Sequence, residues 1–164
     1  QRMLLAFSQF IVQLNSSNSK YDKYIRNEAD GTFTEQEKNG LQLFRVHCAS
    51  CHTEPLFTNQ KFEKNGLPMD TTLNDFGRFK ITQNAADSFK FKVPTLRNIQ
   101  FTYPYMHDGR FKKLREVINH YATTNTLEKP IRLNSNEKTD ILAFLLTLTD
   151  TTFLFDKRFG FPKN

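Results

Sequence analysis

The chain has 164 residues and a formal charge of +6, long enough for one domain with a real core. Lysine and arginine are scattered among acidic residues instead of forming a run, which argues against a nucleic-acid surface, and no segment approaches the apolar length of a membrane span. Tryptophan is absent while phenylalanine occurs 17 times, which is more rings than a small core needs and enough to line a large flat cofactor; Phe-rich packing alone is the plainer explanation. No signal peptide opens the chain, which instead begins inside an apparent helix, as a fragment of a longer protein would.

In chain order, Met3, Leu4, Phe7, Phe10, Ile11 and Leu14 recur at helical spacing and predict a first helix that ends in the polar run 15–19. A short helix or turn over Tyr21 to Arg26 follows, broken at Asp30-Gly31. Thr34 and Glu37 form a capping box that starts a helix through Gly40, Leu41 and Phe44 and delivers Cys48 at its C-terminal end. From Thr53 to about Phe91 periodicity disappears, and Pro55, Gly66, Pro68 and Gly77 punctuate a long loop of the kind that needs something to pack on. Val93 to Asn98 reads as an extended or 3₁₀ element, Tyr103 to Gly109 as a turn, and Lys112 to Tyr121 as a helix. Asn134 or Ser135 caps the last helix, whose apolar residues run from Ile141 to Leu148. No strand signal is strong. The expected class is mostly α with long loops, organised as an N-terminal helical segment over 1–30 and one domain over 31–164.

The third helix leads into Cys48-Ala49-Ser50-Cys51-His52. Cys-x-x-Cys-His is the attachment signature of c-type haem: each thiol adds across a vinyl group, and the adjacent histidine supplies a nitrogen to iron. The 31–164 domain is therefore expected to be a cytochrome c-like haem domain, its long loops wrapping the haem. Two cysteines this close rarely form a structural disulfide. A zinc site needs four ligands, with only His47, His107 and His120 left to complete it. A thioredoxin-like dithiol sits at a helix start, whereas this one ends a helix. His47 reads as an exposed neighbour. Covalent attachment places assembly outside the bacterial cytoplasm, in the periplasm or cell envelope.

Beyond this motif lie Gly77-Arg78-Phe79, Phe91-Lys92-Val93-Pro94-Thr95-Leu96-Arg97-Asn98-Ile99 and Tyr103-Pro104-Tyr105-Met106-His107-Asp108-Gly109-Arg110. With the helix Leu114 to Ile118 and the closing run Ile141 to Thr149, these blocks resemble the C-terminal half of the bacterial di-haem cytochrome c peroxidase and MauG family, over nearly the whole chain from Thr34 onward. The resemblance implies an electron-transfer haem domain whose N-terminal partner domain carries the peroxide pocket and is missing here. Peroxide reduction by this chain alone is therefore not expected. The intact protein would reduce hydrogen peroxide with electrons from a small cytochrome or cupredoxin. A MauG-like oxidase of a protein or organic substrate is the close alternative, and a stand-alone electron-carrier cytochrome c is another. Family members are often dimers, so a homodimer is also implied.

The resemblance further implies a calcium ion held by the backbone carbonyls of Thr102 and Pro104. Arg78 and Arg97 lie in the matching blocks and could pair with haem propionates. For the sixth iron ligand, peroxidases of the family use a methionine where MauG-like members have tyrosine, and the matching position is Tyr121. Tyr121 shares a helix face with Leu114, Val117 and Ile118, while His120 is rotated toward the face of Lys113 and Glu116; Met106 and His120 are the alternatives.

Overall fold

A computed structural model describes residues 1–127 and 129–160. The last residues of the expected 31–164 domain lie outside the described part. The first helix, α1 (Arg2–Gln13), forms where the periodicity places it, but none of its residues is buried. Its apolar stripe of Met3, Leu4, Phe7 and Ile11 is exposed, and Phe10 meets Phe159 edge-on. Helical spacing foretold the helix and not what covers it.

The polar run after α1 ends in Ser19, which caps α2 (Lys20–Ile25) in a capping box with Asp22. A 3₁₀ turn over Ala29–Gly31 follows. Thr34 then caps α3 (Glu35–His47), its hydroxyl accepting from the Glu37 amide at 3.2 Å while the Glu37 carboxylate accepts from the Thr34 amide at 2.7 Å. Both orphan donors of that helix start are thereby satisfied, as the sequence pattern requires.

The segment 53–91 is not structureless. Strand β1 (Phe62–Lys64) pairs antiparallel with β2 (Lys90–Lys92), setting Glu63 opposite Phe91, and the intervening chain carries the short helix α4 (Phe79–Thr82). Three-residue strands are too short to show an alternating pattern, which is why none was legible. The 3₁₀ turn near the Pro-Thr-Leu-Arg-Asn block falls at Ile99–Phe101, just after it. Helix α5 (Leu114–Thr123) begins where the Glu116 carboxylate accepts from the Lys112 and Lys113 amides, both at 2.9 Å. Asn134 caps α6 (Ser135–Leu146), and the buried Asp150 caps α7 (Thr151–Leu154), an element without helical periodicity of its own.

Helices α3 and α6 cross in close contact, and Gly40 makes this possible: a Cβ there would lie 2.0 Å from the Asp140 carbonyl oxygen and 2.8 Å from the Phe144 Cβ. Around the crossing, Phe33, Phe44, Phe57 and Phe144 join Tyr21, Leu41, Ile141 and Leu148 in one cluster. Among the described residues four of the 17 phenylalanines are thus buried core, packed in tilted and edge-on pairs. Cys48, Ala49, Met106, Phe111 and Val117 pack at its margin, half-buried. Gly40→Ala is expected to cost about 1–3 kcal/mol by overpacking. A thermal melt should show the midpoint falling by several degrees, whereas alanine at an ordinary helix position would raise it.

Candidate haem site

Helix α3 ends one residue before the first cysteine, and the chain turns tightly. The Cys51 and His52 amides donate to the Cys48 carbonyl at 3.2 and 2.9 Å, and the Asn59 amide closes the loop on the Cys51 carbonyl at 2.7 Å. Cys48 and Cys51 form no disulfide, and both are half-buried. Burial pushes Cys48 up to about 12, with Cys51 nearby adding to the effect. Cys51 is raised less, again by burial first. Both shifts keep the thiols protonated, unlike the activated thiolate of a redox dithiol.

His52 Nδ1 lies 3.0 Å from the Phe57 carbonyl oxygen. A carbonyl can only accept, so Nδ1 carries the hydrogen and the lone pair sits on Nε2. Burial lowers the histidine below its ordinary value, opposed by the carbonyls of Phe57 and Pro94, so the ring is neutral near pH 7. This tautomer leaves Nε2 free to bind a metal, with the ring oriented by a carbonyl behind it.

Phe57 itself has φ of +54° and is fully buried. Holding a non-glycine residue in the left-handed region costs about 1–2 kcal/mol. That conformation turns the Phe57 carbonyl back toward His52 while its ring packs edge-on against Tyr21 at 4.8 Å. The segment leading to it is tied from several directions. Glu54 accepts from Tyr21 Oη at 2.6 Å and from Arg45 at 2.8 and 2.9 Å. Thr95 Oγ1 donates to the Leu56 carbonyl at 2.6 Å.

Tyr121 sits on the inner side of α5. Burial pushes its phenol up to about 12, with Cys48 and Cys51 adding to the effect. His120 is not a solvent-facing residue, as its rotation on the helix implied: its Nε2 lies 2.9 Å from the Asn65 carbonyl oxygen, half-buried under the 53–91 segment. Met106 adopts φ of +72° and packs against the core margin. His107 stacks on Phe91 with ring centroids 3.7 Å apart.

The two arginines have protein partners. Arg97 donates five hydrogen bonds: to the Asp22 carboxylate at 2.9 and 2.8 Å, to the Pro55 carbonyl at 3.1 and 2.8 Å, and to the Ser16 carbonyl at 3.0 Å. That engages every N–H of a guanidinium and leaves none for a propionate. Arg78 bonds Asp87 through Nε at 3.1 Å and lies over the Phe62 ring, with its side chain 40% exposed. Thr102 and Pro104 are exposed, and neither carbonyl accepts a backbone hydrogen bond among the described residues.

The donor set fits a covalently held haem. Two thiols at the right spacing end one helix, a neutral imidazole has its lone pair on Nε2, and a phenol approaches from a second helix. Asp22 and Asp150, two polar centres behind the site, were not singled out in the sequence. Asp150 accepts from the Asn18 amide at 2.9 Å and the Phe153 amide at 3.0 Å. Asn98, in the left-handed region at φ +59°, joins it through the Asp150 amide at 2.8 Å.

Fold and site together define a helical domain of the cytochrome c kind. The chain is 36% identical over 151 residues to the cytochrome c551 peroxidase of Nitrosomonas europaea, matching 90% of the chain and 44% of that protein. It is 30% identical over 154 residues to the methylamine utilization protein MauG of Methylorubrum extorquens, matching 87% of the chain and 42% of that protein. Among solved structures, a MauG-like protein associated with microbial copper homeostasis superposes with a TM-score of 0.78 at 31% identity, covering 88% of this chain and 55% of that one. The fold is shared too with the diheme peroxidase BthA of Burkholderia thailandensis, at a TM-score of 0.68 and 22% identity, covering 84% of this chain and 47% of that one. No family model matches. The chain is thus similar, over about nine-tenths of its length, to cytochrome c peroxidases and to MauG proteins. It spans about half the length of the curated relatives it matches.

Asp22 carries a testable pH dependence. Burial alone would raise its carboxyl, but hydrogen bonds from Arg97 and Ser19 outweigh this and hold it below the ordinary value. A depressed carboxylate stabilises the fold above its unfolded value, about 3.9, and loses that contribution as pH falls through the folded value. Asp22→Asn should lower the melting midpoint at pH 7, because breaking a buried pair costs about 3–5 kcal/mol. It should also flatten the loss of midpoint between pH 5 and 3. An acid limb as steep as the parent's would assign that limb to other carboxylates.

Proposed function

We propose that this chain is the electron-transfer haem domain of a di-haem peroxidase-like oxidoreductase. The observation carrying this is the pairing of Cys48, Cys51 and His52 at the end of α3 with Tyr121 on α5, in a chain homologous to about half of such proteins. Cys48 and Cys51 would fasten the haem, and His52 would bind its iron through Nε2. A haem held there supplies an iron that takes up and releases one electron at a time. The chain's residues fix the geometry: the Phe57 carbonyl orients His52, and the core margin of Ala49, Met106, Phe111 and Val117 excludes water. Arg78, 40% exposed and bonded to Asp87 through Nε, is the arginine suited to a propionate.

The intact protein would bring hydrogen peroxide, two electrons and two protons to two waters, with the peroxide site in the other half. A small cytochrome or cupredoxin would supply the electrons. Covalent attachment places the protein in the periplasm or cell envelope. No described helix is long and apolar enough to cross a membrane. The Thr102 and Pro104 carbonyls, without backbone partners among the described residues, would contribute to a calcium site completed elsewhere.

A second reading, a MauG-like oxidase, is favoured by Tyr121. A phenolate is a hard anionic ligand that stabilises ferric iron and lowers the potential, whereas the methionine of an electron-accepting haem does the opposite. A domain with Tyr121 on its iron would suit oxidation of an organic or protein substrate.

Acid–acetone extraction should leave the colour with the protein, and Cys48→Ala should convert the attachment to a single thioether. Free extraction of haem from the parent would refute the assignment. Tyr121→Phe should change the ferric spectrum and raise the potential. A sulfur-to-iron band in the parent that persists in this variant would assign the sixth position to Met106.

A further inference from the structure

The residues from Glu54 to Phe57 connect the haem motif to the long loop, and each is fastened by a group distant in sequence. Glu54 is held by Tyr21 and Arg45, the Pro55 carbonyl by Arg97, and the Leu56 carbonyl by Thr95. Phe57 is locked by burial of its ring. Arg97 is itself aligned by the buried Asp22 of α2, a side chain 9% exposed whose second oxygen also accepts from the Ser19 amide and hydroxyl at 2.9 and 2.7 Å. At the end of this chain of contacts stands one functional atom, the Phe57 carbonyl oxygen facing His52 Nδ1 at 3.0 Å. A loop needs no such density of ties merely to cross a surface.

We propose that Asp22, Arg97 and Thr95 are positioning residues for His52, acting through the 54–57 segment to set how strongly the Phe57 carbonyl binds Nδ1–H. The inference rests on His52 being the iron's proximal ligand. The physical link is ligand basicity: a firm Nδ1–H to carbonyl bond makes the imidazole a stronger donor and favours ferric iron. Loosening the segment lengthens that bond, weakens the donor and raises the ferric/ferrous potential. Arg97→Lys loses the planar fork that bridges Asp22 and Pro55, although the charge remains. Thr95→Val removes only a hydroxyl at an exposed position and keeps the shape.

The test is the reduction potential of the haem-loaded protein, measured with the melting midpoint for each variant. Asp22→Asn, Arg97→Lys and Thr95→Val should each raise the potential with haem still covalently attached. The Asp22→Asn/Arg97→Lys double variant should go no higher than the larger single, because both act through one contact. Asp156→Ala, which removes the cap of the 3₁₀ turn Lys157–Phe159 outside this chain of contacts, should lower the midpoint and leave the potential unchanged. Potentials equal to the parent's in Arg97→Lys and Thr95→Val would overturn the proposal, as would a shift in Asp156→Ala matching theirs for the same loss of midpoint. If Asp22→Asn fails to fold, Arg97→Lys and Thr95→Val decide. His52→Gly separates the two levels: an iron spectrum unchanged in it overturns the proximal assignment, whereas a changed spectrum beside silent positioning variants overturns only the positioning role.

Discussion

The hydrogen bond from His52 Nδ1 to the Phe57 carbonyl, 3.0 Å long, is the contact to which the rest of the site answers. It fixes the tautomer, and the tautomer decides which nitrogen is available to a metal. The bond in turn depends on Phe57 holding φ of +54°, a conformation that a phenylalanine keeps only when its surroundings over-determine it. Those surroundings are the aromatic core at the α3–α6 crossing. The close approach at Gly40, the Tyr21 ring against Phe57 and the Arg97–Asp22 pair therefore all bear on the orientation of one imidazole.

The half of this logic that is local was legible in the sequence. Cys48-Ala49-Ser50-Cys51-His52 announces its chemistry by spacing alone, and Thr34 with Glu37 marks a helix start because both partners lie within one turn. The inward face of α5, with Tyr121 on it, follows from helical geometry. What spacing could not reveal is long-range. Arg97 meets Asp22 across 75 residues, so its motif position near the expected haem edge gave no hint that its N–H groups are already engaged. His120 has the rotation of a surface residue but is covered by Asn65, brought over it by a loop with no periodicity. Helix α1 shows the converse failure: an apolar stripe reads as a buried face, yet burial depends on a partner surface that no spacing encodes.

Homology and geometry divide the functional argument between them. Relatives named as cytochrome c peroxidases and as MauG match this chain over comparable spans, so similarity alone does not separate peroxide reduction from substrate oxidation. On the proposed reading the difference lies at Tyr121 on α5: a phenol bound to the iron would bear directly on the potential the domain can reach.

The central claim is that His52 presents Nε2 to an iron while the Phe57 carbonyl holds its other nitrogen. A crystal structure of the haem-loaded protein tests it most directly. The account predicts thioether bonds from Cys48 and Cys51, iron bonded to His52 Nε2, and Nδ1 within hydrogen-bond distance of the Phe57 oxygen. Iron bonded to His52 Nδ1 or to a different histidine, or a Phe57 carbonyl turned away from the ring, would contradict it.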